Sequence, residues 1–195
     1  MCGRFTLFDE REIKEINQII SELEEEQRKT IKTGEICPTD RVPVLMRREQ
    51  RRVSEVVAWG FPHFKGSGVI INARSETAHT KSLFANSMLD GRCIIPSTGF
   101  YEWSHDNNKA RQKYLFNLAD DPVLYMAGLI SDFGNEKRFV ILTTQANDSI
   151  QGIHNRMPVV LNRSELDHWI SSAAAAREIL RDPSSRPLLV VREAK

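Results

Sequence analysis

The chain has 195 residues, 41% of them hydrophobic, and carries 27 Lys and Arg against 26 Asp and Glu, a formal charge of +1. A nearly neutral chain has no global basic field, so any polyanion site must be a local cluster of arginines and lysines. No run of about 18 apolar residues is present, which argues against a transmembrane helix, and no secretory signal is read at the start.

Three cysteines occur without a CxxC or Cys/His pairing, which speaks against a disulfide framework and against structural zinc. A single domain over residues 1–195, cytoplasmic and with reduced thiols, is the expectation.

The first feature in chain order is Cys2, within Met1-Cys2-Gly3-Arg4-Phe5. Initiator methionine is normally removed before a small residue, so the mature chain is expected to start at Cys2. The thiol and a free α-amine would then stand two carbons apart. Unperturbed, the amine titrates at about 7.7–8.0 and the thiol at about 8.5. Such a 1,2-aminothiol can form an imine with an aldehyde and close it to a thiazolidine, or it can attack an acyl carbon. The alternative is an incidental cysteine.

Residues 9–29 read as one helix, because Ile13, Ile16, Ile20 and Leu23 recur at three- and four-residue steps, with Asp9 and Glu12 as a capping pair. Short β-like runs follow at 42–46, 53–59, 69–71, 92–95, 114–118, 123–129, 138–144, 157–161 and 188–191. Breakers such as Gly66-Ser67-Gly68, Asp90-Gly91, Asp106-Asn107-Asn108 and Gly134-Asn135 separate them. A second helix starts near Ser164 over Leu166, Trp169 and Ile170. Ala173–Ala176 with Ile179 and Leu180 continues it or forms another, and Pro183 stops it. Few runs are joined by helix-length segments. The expected fold is therefore α+β, with a curved, mostly antiparallel sheet or barrel-like core and peripheral helices.

Three polar islands lie among the strands. Asn72-Ala73-Arg74-Ser75-Glu76-Thr77 follows an apolar run; it is either a capped turn opening a helix or a binding edge with an amide and a guanidinium fork. In Gly99-Phe100-Tyr101-Glu102-Trp103, Glu102 is either a solvent-facing strand carboxylate or a desolvated acid able to move protons near neutrality. Tyr101 and Trp103 suit a core or lid, or base stacking. Ile153-His154-Asn155-Arg156-Met157-Pro158 places His154 in a loop before a strand, where it can exchange protons near neutrality. His63, His79, His105 and His168 read as surface or turn residues, and Cys37 and Cys93 as packing residues.

These islands, with Cys37-Pro38-Thr39, Trp59-Gly60, Arg92-Cys93-Ile94-Ile95-Pro96 and Thr143-Thr144, run from end to end in the order found in the SOS-response-associated peptidase family, which the chain resembles. Members of that family process abasic sites. The resemblance implies a cleft for single-stranded DNA carrying an abasic site, with single-strand to duplex junctions as a further DNA structure. Cys2 would form a Schiff base and then a thiazolidine. Asn72 would hold the Cys2 amine and the sugar, Glu102 would act as acid and base, and His154 would assist ring opening and release. Arg4, Arg74 and Arg156 fall where phosphates are gripped, Trp59 and Trp103 where bases pack, and Thr144 along the pocket. No metal and no organic cofactor is implied, and a monomer is the default.

The chain departs from the family's pattern in the shortened, glycine-rich stretch after Gly60 and in Ala127-Gly128-Leu129, which lacks a following aromatic. Two other readings stand beside this one: a cysteine peptidase using the same N-terminal nucleophile, self-removal of the first residue included, and a non-catalytic single-strand binder.

Overall fold

The computed structural model describes residues 2–8, 13–64, 66–104, 112–182, 186–187 and 189–194. The Asp9/Glu12 pair, His105, the Asp106-Asn107-Asn108 breaker, Pro183 and Leu188 lie outside them. In chain order the elements are β1 (Arg4–Leu7), α1 (Lys14–Ser21), α2 (Glu25–Arg28), β2 (Gly34–Ile36), β3 (Arg41–Arg48), β4 (Arg51–Trp59), β5 (Phe61–Pro62), β6 (Val69–Ile70), β7 (Asn72–Arg74), α3 (Ser75–Ala78) and α4 (Ser82–Leu89). Then come β8 (Arg92–Ser97), β9 (Gly99–Trp103), β10 (Lys113–Asn117), β11 (Leu124–Phe133), β12 (Glu136–Gln145), β13 (Arg156–Pro158), β14 (Val160–Leu161), a 3-10 turn (Arg163–Glu165), α5 (Leu166–Ser171), α6 (Ala173–Arg181) and β15 (Val190–Ala194).

Strands β12, β4, β3, β8 and β11 pair in that order, and β11 pairs back with β12, closing a five-stranded barrel. Closure leaves the barrel no free edge. Its ladders are antiparallel except where β12 runs parallel to β4. Every residue of β8 is buried. This explains why the barrel strands read as continuous apolar runs rather than alternating ones. Gly128 is required here, because a Cβ on it would lie 2.3 Å from Ile95 Cδ1 and 3.0 Å from Cys93 Sγ. On the barrel's flank the buried Arg92 guanidinium donates to the carbonyls of Met88, Leu89, Trp169 and Ile170, capping the ends of α4 and α5.

A second sheet, in the order β15-β10-β9-β1-β2, is antiparallel throughout. The chain passes from barrel to sheet between β8 and β9, where a Cβ on Gly99 would meet the Phe116 carbonyl at 2.7 Å. Phe5 of the sheet packs on Trp59 of the barrel with ring centroids 5.1 Å apart. The two sheets thus share one apolar core, as the expected α+β barrel-like fold requires.

Two sequence expectations need correction, and one left open is decided. The long N-terminal helix is two, because Leu23 turns into the core between them and Glu24 is extended. A run of carboxylates from Glu22 to Glu26 opposes a continuous helix there through like-charge neighbours at three- and four-residue spacing. The run 157–161 is two strands rather than one. In the C-terminal region Ser172 ends α5 and caps α6 by accepting from the Ala175 amide, so the alanine stretch is a separate helix. Strands β1 and β2 lacked an apolar signal of their own; β1 is held by pairing with β9, and β2 by pairing with β1.

Candidate functional site

Four of the sequence-selected residues converge. Cys2 precedes β1 and is fully buried. Strand β7 lies parallel to β12, with Asn72 opposite Ile141 and Arg74 opposite Thr143. This pairing brings the Asn72 amide to the Cys2 carbonyl, to which it donates at 2.8 Å. The Trp59 indole donates to the Ile71 carbonyl at 3.0 Å and so fixes the backbone next to Asn72. The Asn72 Oδ1 atom is buried and accepts nothing among the described residues.

Glu102 projects from β9 on the same face as Phe100, by the period-two alternation of a strand. It is 3% exposed, which removes the solvent-facing reading. Burial first of all pushes its carboxyl up from the ordinary range. The Cys2 thiol is raised too, first by burial and then by the Glu102 carboxylate. Its Sγ lies 3.7 Å from the Arg4 carbonyl.

His154 ends a turn in which Asn147 accepts from the Ser149 amide, and the His154 amide donates to the Ile150 carbonyl. The ring is 7% exposed. Its Nδ1 accepts from the Arg156 amide at 3.0 Å. The same Nδ1 lies 3.1 Å from the Arg156 carbonyl, and Nε2 lies 4.0 Å from Glu102 Oε2. A thiol, a desolvated acid and an imidazole therefore neighbour one another, which suits proton transfer around the thiol.

The candidate DNA-contact residues are spread differently. Arg156 forms a fork with Glu76 at 2.6 and 2.9 Å and also donates to the Thr143 carbonyl. The Arg156 bond first of all holds the Glu76 carboxyl below its usual range. Arg4 pairs with Glu35 at 2.5 Å, and its guanidinium lies 5.5 Å from the Trp103 ring. Lys113 also binds Glu35 and sits 4.0 Å over Tyr101. Arg4, Tyr101, Trp103 and Lys113 lie on the face of the second sheet opposite Glu102, by register and alternation.

Trp59 has no exposed surface and stacks on Phe139, so it presents no face to a base. Thr144 is buried on the opposite side of β12 from Thr143. His63, His79 and His168 are exposed, as surface or turn residues are. Of the carboxylates that hold two of the three arginines, Glu35 had no sequence signal beyond an ordinary surface acid, and Glu76 stood in a singled-out island but only as a helix-start residue. Their partners come from distant strands.

Two open clefts meet at Arg74. One, about 710 Å³, is lined by Arg74, Gln145, Gln151, His154, Asn155 and Arg156. The other, about 690 Å³, runs from Asn72 past Thr77 and Lys81 to Leu83 and Phe84, with Ile70 in its wall. Among the described residues no group of three or more His, Cys, Asp or Glu is placed to hold a metal ion. Among the same residues no helix is long and apolar enough to cross a membrane.

The family described as SOS response associated peptidase (SRAP) matches residues 1–192. Among similar proteins, the abasic site processing protein YoaM of Bacillus subtilis is 26% identical over 93% of this chain and 84% of its own length. The abasic site processing protein YedK of Escherichia coli is 28% identical over 91% of this chain and 83% of its own. A solved protein from Bacteroides thetaiotaomicron superposes with a TM-score of 0.79 at 23% identity, covering all of this chain and 92% of that one.

Proposed function

The chain belongs to the SOS response associated peptidase family, and from that premise we propose that it processes abasic sites in single-stranded DNA by covalent capture on Cys2 after removal of Met1. The relatives' shared name supports the lesion. The meeting of Cys2, Asn72, Glu102 and His154 in one pocket carries the chemistry.

The ring-opened deoxyribose presents an aldehyde. The Cys2 amine adds to C1′, the carbinolamine loses water, and an imine forms. The Cys2 sulfur then adds to the imine carbon, and the thiol proton ends on nitrogen, closing a thiazolidine. Glu102, its carboxyl raised by burial, is suited to give a proton to the departing hydroxyl and to take the thiol proton afterwards. His154 stands beside it for the sugar's ring opening and, in reverse, for release. Asn72 holds the Cys2 carbonyl and thus aims the amine. With Met1 attached, burial raises the Cys2 thiol. A peptidase acting through a resting Cys2 thiolate would need the opposite shift.

The test is denaturing electrophoresis with mass spectrometry on an abasic oligonucleotide. The mature protein is expected to give a heat-stable adduct one water lighter than the sum. A form retaining Met1, or one acetylated at the α-amine, is expected to give none. An adduct that survives acetylation would overturn the proposal, and turnover of a peptide indifferent to abasic DNA would support the peptidase reading instead.

A further inference from the structure

Glu102 and His154 come from elements far apart in the chain, strand β9 and the turn that follows β12. Asn147 opens that turn and bonds both into it and out of it. Its backbone carbonyl accepts from the amides of Ile150 and Gln151 at 3.1 and 3.0 Å. The Ile150 carbonyl accepts in turn from the amides of Ile153 and His154 at 2.8 and 2.9 Å. The Asn147 Oδ1 atom accepts from the Ser149 amide at 3.2 Å and from the Ser149 hydroxyl at 2.5 Å. Its Nδ2 points the other way and donates to the carbonyls of Pro187 at 3.1 Å and Arg186 at 3.4 Å. An amide offers an acceptor at one atom and two donors at the other, which is the set these five partners need.

The outward bonds reach a segment that is itself anchored. Arg186 is buried; its guanidinium forks onto Glu165 through two bonds of 2.8 Å and donates to the Val160 carbonyl at 3.2 Å. Further on, β15 pairs with β10 and β10 pairs with β9, so that Tyr114 stands opposite Glu193 on one side and Glu102 on the other. The C-terminal segment is therefore tied at one end to the turn that carries His154 and at the other to the sheet that carries Glu102. We propose that Asn147 is a positioning residue for His154: its side-chain amide locks the histidine turn to the C-terminal segment and so sets the 4.0 Å gap between His154 Nε2 and Glu102 Oε2. A misplacement of about 1 Å at a reacting group costs up to about a hundredfold in rate. The inference rests on the capture reaction proposed above, in which His154 assists ring opening.

The test uses the mature full-length protein and its Asn147→Asp variant. Aspartate keeps the acceptor for Ser149, and with it the turn, but has no donor for the Pro187 and Arg186 carbonyls. The maximal rate of adduct formation with an abasic oligonucleotide should fall about tenfold to a hundredfold, while the oligonucleotide concentration giving half that rate stays within about twofold. In a His154→Ala background the same substitution should slow capture by no more than about twofold, because a residue that acts through the imidazole has nothing left to position once the ring is gone. Asn147→Ser, whose shorter side chain caps the turn without spanning to Pro187, runs the same cycle if the Asp variant does not fold.

Equal slowing in the parent and His154→Ala backgrounds overturns the inference, since a merely structural role would give that result. An unchanged maximal rate overturns it as well. If the parent forms no adduct, or if His154→Ala captures as fast as the parent, the capture reaction as proposed has failed, and NMR still reads the position of the ring. Glu102→Gln should displace the His154 Cε1–H resonance, and should displace it less when Asn147 is Asp. Equal displacements in the two backgrounds overturn the positioning role.

Discussion

Cys2 and Cys93 are both fully buried, and burial pushes both thiols well above the ordinary range. Cys93 sits on β8 against Gly128, and desolvation alone accounts for its shift. Around Cys2 the same burial comes with an amide on its carbonyl, a carboxylate that adds to the shift, and an imidazole 4.0 Å from that carboxylate. Burial silences a thiol in either place. Only around Cys2 are there groups able to accept its proton, so the neighbours rather than the exposure separate the cysteine proposed to react from a packing one.

The sharpest test of that contrast substitutes each cysteine. Cys2→Ala is expected to abolish the adduct with little change in melting temperature. Cys93→Ala should capture within about twofold of the parent while losing about 1 kcal/mol through the small cavity it leaves. Denaturing gels and thermal melts read both, and loss of capture in Cys93→Ala would break the comparison.

Glu102→Gln should slow capture by about a hundredfold or more, the usual scale for a lost general acid and base. It should also stabilise the fold. Because burial raises the folded carboxyl above its unfolded value, the protonated form contributes stability that is full in acid and is lost as pH rises through the raised value. The Gln variant is therefore expected to melt higher than the parent at neutral pH, by roughly 2–4 °C for about 1 kcal/mol. The two should converge below the ordinary carboxylate range. A parent that melts above the variant at neutral pH would contradict a desolvated Glu102.

Gly128→Ala tests the barrel half of the contrast. Its methyl group would collide with Ile95 and approach Cys93, an overpacking expected to cost about 2–3 kcal/mol. Capture measured well below the melting temperature should survive. The smallest effect is expected at Glu76→Gln. Its carboxyl is held low by Arg156, so its contribution is present above the ordinary carboxylate range and is lost as pH falls through the lowered value. The pair is partly exposed, so the loss at neutral pH should be within about 1 kcal/mol and should vanish in acid. A loss that persists in acid would mean that the fork does more than pair charges.

Much of the fold was legible along the chain. The barrel strands are buried on both faces, and their unbroken apolar runs stand out from the breakers between them. Strands β1 and β2 were not legible, because partner strands rather than their own pattern decide that they are extended. The helix break after Ser21 was likewise hidden. The periodicity through Leu23 is real, but it follows a chain that turns to bury Leu23 instead of continuing straight.

The order of motifs along 195 residues was enough to determine the family, most of the core strands and the residues proposed to carry the chemistry. Which of those residues meet was a tertiary matter. Period-two alternation sends Glu102 inward and Trp103 outward from adjacent positions. A parallel pairing of β7 with β12 carries Asn72 to Cys2 across 70 residues of chain. Trp59 disappears into the core because the two sheets pack on it, and two of the three arginines already hold carboxylates that only folding brings near. Contacts between distant strands depend on register and packing, and neither is written in any local stretch of sequence.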